Sequence, residues 1–310
     1  MAFARSESVN SPTGARLKLY VREADGDARA VVQINHGLAE HAARYAHFAE
    51  FLAGRGFHVY AHDHRGHGGT TAPDAPPRSF GRDGAEKVIA DAEAVHDLIA
   101  ARHPGLPVIL FGHSMGGLIA ANFVIRHSDR IGAAAIWNAN FTTGSAGQLA
   151  RLILAWERFR RGSDVPSRVL PELTFRTWAK RIANRRTDFD WLSRDEAEVD
   201  RYIADPLCGW DASVGMWRDI FRLIYAGANR ENYRPASKDL PIQLLGGEWD
   251  PATSGGRAVR NFAKLLNRAG FSNLQTTVYP QTRHESLNEL NRDLIMAAFA
   301  DWAEKVVLNS

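Results

Sequence analysis

A glycine-rich pentapeptide at residues 112–116, Gly-His-Ser-Met-Gly, constrains the fold of this chain more than any other feature. It directly follows the apolar run 108–111 and precedes a second apolar run at 118–121. A serine at a sharp turn between a strand and a helix takes a strained backbone conformation, and glycines two residues before and after it leave room for that turn. The pattern therefore predicts a nucleophile elbow, with the Ser114 hydroxyl raised above a sheet edge at a helix N-terminus.

Such a serine needs a base, because a hydroxyl is a weak nucleophile at neutral pH. In enzymes built on this elbow, a carboxylate and then a histidine follow the serine along the chain. Beyond Ser114 the sequence holds only His127 and His284. His127 falls on the helix that starts at the elbow, too far along it to turn back. His284 is therefore the predicted base.

The acid that orients the base is predicted at the end of a later strand. Residues 242–247 have the pattern of a buried strand that runs into a glycine turn, and Asp250 lies at the tip of that turn. We predict Asp250 as the acid, with Glu248 as the neighbouring alternative. An aspartate before proline is also common in ordinary turns and helix caps, which is the structural interpretation of Asp250.

An oxyanion hole requires backbone amides close to the serine. One follows the elbow serine itself, and the other lies on the loop after an earlier strand. Residues 30–35 have the pattern of that strand, and the loop 36–41 follows them. The amides of Leu38 and Met115 are the predicted donors.

Four segments resemble the monoacylglycerol lipase and lysophospholipase-like branch of the α/β-hydrolases. They are residues 36–45, 56–68, 112–117 and 279–289. The resemblance implies an α/β-hydrolase fold, a catalytic triad of Ser114, Asp250 and His284, and oxyanion amides at Leu38 and Met115. That family usually has glycine at the position of Gln281, and its loop after the acid differs from residues 252–256.

The alternation of strand-like and helix-like runs predicts an α/β protein with a mostly parallel central sheet and helices on both faces. It stops after Asn140 and resumes near Pro241. We predict a core of residues 1–139 and 236–310 with an inserted helical cap, or lid, at 140–235. Four of the eight tryptophans lie between residues 178 and 217 of this cap, which indicates either an apolar lid or ordinary packing of a small helical unit. They are Trp178, Trp191, Trp210 and Trp217.

The run His62-Asp63-His64-Arg65-Gly66-His67 raises the alternative of a metal site, since His-x-His-x-x-His can bind zinc. A binuclear hydrolase with this motif normally has aspartate where Gly66 stands, and no downstream histidine and carboxylate cluster completes the ligand set. We predict no metal and no cofactor. The histidines are instead expected to form a polar network that supports the oxyanion loop, together with Glu40 and Arg44; for these two, a solvated ion pair is the alternative.

Charge and composition limit the classes of binding partner that the sequence predicts. The net charge of +3 is too small to indicate nucleic acid binding, but residues 151–186 hold ten basic and three acidic side chains, a local charge of +7. This segment is either a solvated helical face or a contact for anionic lipid. A single cysteine, Cys208, and the lack of a signal-like or 18-residue apolar segment predict a cytoplasmic protein that does not span a membrane.

Together these features predict a serine carboxylester hydrolase that acts on an acyl or lipid-like ester through an acyl-serine intermediate. The same elbow also serves acyltransferases, serine peptidases and cofactor-free haloperoxidases, so these remain alternatives. A further alternative is a non-catalytic relative that only binds a ligand.

Overall fold

The computed structural model describes residues 3–308 of the 310-residue chain. Within these residues one sheet of eight strands forms the centre of the molecule. The strands are β1 Arg5–Asn10, β2 Arg16–Arg22, β3 Ala30–Asn35, β4 Phe57–His62, β5 Val108–His113, β6 Ala133–Trp137, β7 Ile242–Gly247 and β8 Leu274–Tyr279. Their order across the sheet is β1-β2-β4-β3-β5-β6-β7-β8.

The sheet is parallel from β4 to β8, and only the pairings of β2 with β1 and β4 are antiparallel. This confirms the predicted mostly parallel sheet. The carboxyl ends of the parallel strands meet at one edge, where open α/β sheets bind their ligands. Ser114 directly follows β5, and Leu38 lies on the loop after β3. Asp250 and His284 lie on the loops after β7 and β8.

Helices cover both faces of the sheet, as predicted. They are α1 Ala46–Ala53, α2 Gly84–Arg102, α3 Met115–His127, α4 Ser145–Arg161, α5 Leu170–Leu173, α6 Phe175–Lys180, α7 Glu196–Ala204, α8 Val214–Ala228, α9 Arg257–Arg268 and α10 Arg292–Leu308. Apolar side chains of α2, α3 and α9 pack on one face, and those of α1 and α10 pack on the other. A 3₁₀ turn, Ala42–Tyr45, leads directly into α1, which becomes α-helical at Ala46.

An aromatic cluster supports the strand that carries the elbow. The ring of Phe111 on β5 lies 4.9 Å from Trp137, 5.5 Å from Phe48 and 5.8 Å from Phe299, measured between ring centroids. All four side chains are buried. Such aromatic pairs add stabilisation beyond the area they bury, which fixes β5 beneath the elbow.

The segment 140–235 contains helices α4 to α8 and no strand of the sheet among its residues. Helix α8 of this segment is capped by Ser213, whose hydroxyl accepts a hydrogen bond from the Met216 amide. The buried side chains of Met216 and Ile220 belong to the same apolar cluster as α3. Among the described residues, no helix is long and apolar enough to cross a bilayer.

Candidate active site

The elbow places Ser114 in a backbone conformation that non-glycine residues rarely adopt, with φ +54° and ψ −115°. A Cβ atom on Gly112 would lie 2.2 Å from the carbonyl oxygen of Gly116. One on Gly116 would lie 2.0 Å from the carbonyl oxygen of Asn35. The glycines are therefore required by backbone contacts, as the sequence pattern predicts.

The structure brings Ser114, His284 and Asp250 into one hydrogen-bonded row. The Ser114 hydroxyl lies 2.9 Å from Nε2 of His284, and Nδ1 of His284 lies 3.0 Å from Oδ2 of Asp250. Because a carboxylate can only accept, Nδ1 carries the proton and Nε2 is free to accept from the serine. This arrangement can withdraw the serine proton during nucleophilic attack.

Asp250 is completely buried, and its carboxylate is surrounded by donors. Oδ2 accepts from Asn138 at 3.1 Å and from the Thr253 hydroxyl at 2.8 Å, and Oδ1 accepts from the Ala252 amide at 2.8 Å. Burial alone would raise the pKa of Asp250, but the adjacent His284 and these hydrogen bonds outweigh it and hold the pKa below its ordinary value. The group is therefore a stable anion at neutral pH.

Glu248 points away from this row. It is exposed, and its carboxylate accepts a hydrogen bond of 3.2 Å from the Gln281 amide. Gln281 itself has φ +53°, in the left-handed region that favours glycine. This conformation explains why the resembling family has glycine there.

The loop 36–41, which carries Leu38, begins where the end of β3 packs against the elbow. The contact is the one between Gly116 and the Asn35 carbonyl, which leaves no room for a side chain. Met115 is the first residue of α3, so its amide has no intrahelical partner. Leu38 and Met115 both line the cavity above Ser114, and in the described chain no group accepts a hydrogen bond from the Leu38 amide.

A buried ionic network lies behind the site. Arg44 donates to Glu40 at 2.7 Å and to both carboxylate oxygens of Glu285 at 2.6 and 2.7 Å. Oε1 of Glu40 accepts from the Gly37 amide at 2.6 Å and lies 3.4 Å from Nδ1 of His113. Glu40 and Arg44 thus belong to a buried network, as expected, and not to a solvated pair. Sequence reasoning missed Glu285 and His113, although each is adjacent to a predicted triad residue.

The histidine rings of this run do not form the expected polar network, although Asp63 in the same run accepts a hydrogen bond of 2.8 Å from the Ala42 amide, directly after the loop 36–41. The rings of His62, His64 and His67 are buried and pack against one another and against His36. Within the described chain, neither ring nitrogen of His62 or His64 has a hydrogen-bond partner. Burial lowers the pKa of His62 and of His67 to about 4, so these rings are neutral and pack as aromatic groups.

A cavity of about 500 Å³ opens above Ser114 and His284. Four of the five tryptophans in segment 140–235 line it, together with aliphatic side chains of α4, α5 and α8. They are Trp178, Trp191, Trp210 and Trp217. The ring centroid of Trp191 lies 5.0 Å from that of His284. Segment 140–235 therefore forms an apolar wall that reaches the ring of His284.

Helix α4 contributes to this wall and also to the protein surface. Leu149 lines the cavity, whereas Trp156 and Phe159 on the same helix are 59% and 88% exposed. Leu152 is 68% exposed. The last turn of α4 also carries Arg158, Arg160 and Arg161. An exposed apolar patch bordered by arginines is thus attached to the wall of the cavity.

Comparison with known proteins places the chain among hydrolases. Residues 26–291 match the model of the Hydrolase_4 family, described as serine aminopeptidase, S33. A monoacylglycerol lipase of Mycolicibacterium smegmatis is 29% identical over 290 residues, which cover 93% of each chain. A monoglyceride lipase of Mus musculus is 31% identical over 73% of this chain and 66% of its own. A thermostable carboxyl esterase from Bacillus coagulans shares the fold, with a TM-score of 0.88, 24% identity and 99% coverage of both chains.

Proposed function

The chain belongs to the Hydrolase_4 family, in the monoacylglycerol lipase-like branch of the α/β-hydrolases, and from this we propose that it is a serine carboxylester hydrolase with Ser114 as nucleophile. The observation that carries the proposal is the row from Ser114 through His284 to the buried Asp250 at the floor of an apolar cavity.

The chemistry follows from this row. Ser114 Oγ attacks the ester carbonyl carbon while its proton passes to Nε2 of His284, and the amides of Leu38 and Met115 donate to the oxyanion. The proton on Nε2 then moves to the departing alkoxide oxygen as the carbon–oxygen bond of the ester breaks. Water, deprotonated by His284, adds to the acyl-serine, and collapse releases the carboxylic acid and restores Ser114.

The substrate class is an ester with an aliphatic acyl chain. The cavity is lined mainly by tryptophan and aliphatic side chains and is large enough to hold many methylene groups. Burying one methylene contributes about 0.8 kcal/mol, so chain length is expected to govern affinity. The names of the relatives, monoacylglycerol and monoglyceride lipase, agree with such a substrate.

An aminopeptidase, the activity in the family's description, fits the cavity less well. Recognition of a free substrate amine requires an unpaired carboxylate near the serine. Among the described residues that line the cavity, the carboxylates are Glu40 and Glu285. Both are already paired with Arg44, so the observed geometry favours the ester.

The outer face of α4 is proposed to contact anionic lipid. Trp156 and Phe159 would enter the interface while the neighbouring arginines pair with lipid phosphates. In this orientation the wall of the cavity would lie next to the lipid that supplies the ester substrate.

A substrate series tests the proposed function. We expect kcat/KM for p-nitrophenyl esters and monoacylglycerols to rise from acetyl to medium chains, by about three- to fourfold per methylene at first. Ser114→Ala is the matched inactive control. A maximum at the acetyl ester would contradict the acyl-chain assignment, and faster turnover of leucine p-nitroanilide would favour the aminopeptidase.

A further inference from the structure

The residue before the nucleophile, His113, lies between two groups that only accept hydrogen bonds. Its Nε2 is 3.0 Å from the carbonyl oxygen of His284, and its Nδ1 is 3.4 Å from Oε1 of Glu40. A neutral imidazole has one N–H and can satisfy only one of them. The buried ring of His113 satisfies both only as an imidazolium.

His36, on the same loop as Glu40, provides a contrast. Its Nδ1 faces the Gly37 carbonyl oxygen at 2.7 Å, whereas its Nε2 accepts a hydrogen bond of 3.0 Å from the His64 amide. One acceptor and one donor suit a neutral ring. Burial accordingly lowers the pKa of His36 well below its ordinary value.

Charge balance in the network also requires a second cation. Glu40 accepts from the Gly37 amide, the Tyr45 hydroxyl and Arg44, and Glu285 accepts both arms of the Arg44 guanidinium. Two buried carboxylates thus share one guanidinium, and an uncompensated buried charge is costly. A positive charge on His113 makes the network neutral.

The other titratable groups around this network do not supply that charge. Burial raises the pKa of Tyr45, of Tyr202 and of the Cys208 thiol, so all three stay uncharged. The His284 ring, 5.0 Å from His113 between centroids, is hydrogen-bonded to Asp250. The cation that the geometry requires is therefore on His113.

We propose that His113 is a positioning residue that is held as an imidazolium. As an imidazolium it ties the backbone of His284 to Glu40. This tie joins the loop after β8, here called the base loop, to the loop 36–41, here called the oxyanion loop. Glu40 completes the tie because it also holds the Gly37 amide, next to the predicted oxyanion donor Leu38. A Cβ on Gly37 would lie 2.6 Å from Oε1 of Glu40 and 3.3 Å from Nδ1 of His113, so this loop leaves space for the contact. The catalytic consequence rests on the proposed function, whereas the protonation state does not.

The tie depends on pH. Burial alone would lower the pKa of His113, but the hydrogen bond to Glu40 and the charges of Glu40 and Glu285 outweigh it and raise that pKa above its ordinary value. A group with a raised folded-state pKa contributes fully at low pH and loses its contribution as pH rises through that pKa. The base loop is therefore released on the alkaline side, which lowers kcat.

The protonation state is measurable without turnover, by ¹⁵N NMR of the ring nitrogens in histidine-labelled protein. We expect His113, identified by the resonances lost in His113→Gln, to have two protonated nitrogens at pH 7, and Glu40→Gln to convert it to a neutral ring. His127→Gln, at the far end of α3, is the matched control. A wild-type spectrum in which the twelve histidines include no doubly protonated ring at pH 7 overturns the proposal, whether or not His113→Gln folds.

The kinetic consequence is tested by pH profiles of kcat for the same variants. We expect the alkaline limb of the wild type to match the NMR titration of His113. That limb should be absent in His113→Gln, with kcat reduced about tenfold and KM changed less than about twofold. An unchanged alkaline limb in His113→Gln overturns the positioning role. A doubly protonated ring in an enzyme that hydrolyses no ester would instead leave the tie intact and reject the proposed function.

Discussion

Asp250 and Glu248 are two residues apart, yet their carboxylates have different environments. Asp250 is buried and accepts from His284 and three further donors. Glu248 is exposed and accepts from one backbone amide. The turn after β7 therefore offers His284 a single carboxylate.

The first prediction compares these two carboxylates. Asp250→Asn should lower kcat by about 10³- to 10⁴-fold, because an amide stabilises neither the correct tautomer nor the imidazolium of His284. Glu248→Gln makes the same replacement of a carboxylate by an amide, and its kcat should stay within about threefold of the wild-type value. Steady-state kinetics with one p-nitrophenyl ester measures both, and the reverse ranking would show that Glu248 is the acid.

Gly116 lies where the elbow packs against the end of β3. Gly116→Ala places a methyl group against the Asn35 carbonyl, which must move and take the oxyanion loop with it. We expect kcat to fall by about 10²-fold or more, as for loss of an oxyanion donor. Gly54→Ala is the control, since a Cβ there meets its nearest atom at an ordinary 3.5 Å. Wild-type kcat and melting temperature in Gly116→Ala would contradict this account of the elbow.

Helix α4 presents two different surfaces. Its Leu149 faces the cavity, and its Trp156 and Phe159 face outward. Most of its remaining length carries arginine and small residues. An amphipathic helix with a basic border is typical of segments that lie in the membrane interface.

The double variant Trp156→Ser with Phe159→Ser tests this face. We expect it to lose cosedimentation with vesicles that contain anionic phospholipid, while hydrolysis of a water-soluble ester is unchanged, because neither side chain lines the cavity. Wild-type binding should weaken as salt rises. Leu294→Ser, which removes an exposed leucine from α10, is the matched control. Equal vesicle binding by the double variant would leave the arginines as a solvated face.

Elements with a strong local pattern were predictable, and those defined by distant contacts were not. The strands β3, β5 and β7 are buried along their whole length and consist mostly of apolar residues. The edge strand β1 is not predicted, because its largely polar, largely exposed residues show no clear alternation. At the site, the motifs predict the triad positions, whereas the contact between Arg44 and Glu285 joins residues 241 apart in the chain.

At the scale of the whole molecule, buried histidines link stability to pH. His62 and His67 have pKa values lowered to about 4 because their rings are buried. A depressed folded-state pKa means that the unfolded chain takes up protons first as pH falls below about 6.5. The folded state is therefore expected to lose stability between about pH 6.5 and pH 4.

We expect the free energy of unfolding in urea to fall by about 3 kcal/mol for each of these two histidines across that range. The conservative variant His62→Asn should show a shallower dependence on pH, even though it is less stable at pH 7. Wild-type stability that is flat from pH 6.5 to pH 4.5 would mean that these rings are protonated in the folded protein.

The proposed reaction requires that Ser114, activated by His284, form a covalent intermediate. The most direct measurement is mass spectrometry of peptides after reaction with a fluorophosphonate, in the wild type and in Ser114→Ala. We predict one adduct per chain, located on Ser114, with ester hydrolysis lost in proportion to labelling, and no adduct on Ser114→Ala. Ester hydrolysis that persists in the fully labelled protein, or an adduct on another residue, would contradict the account.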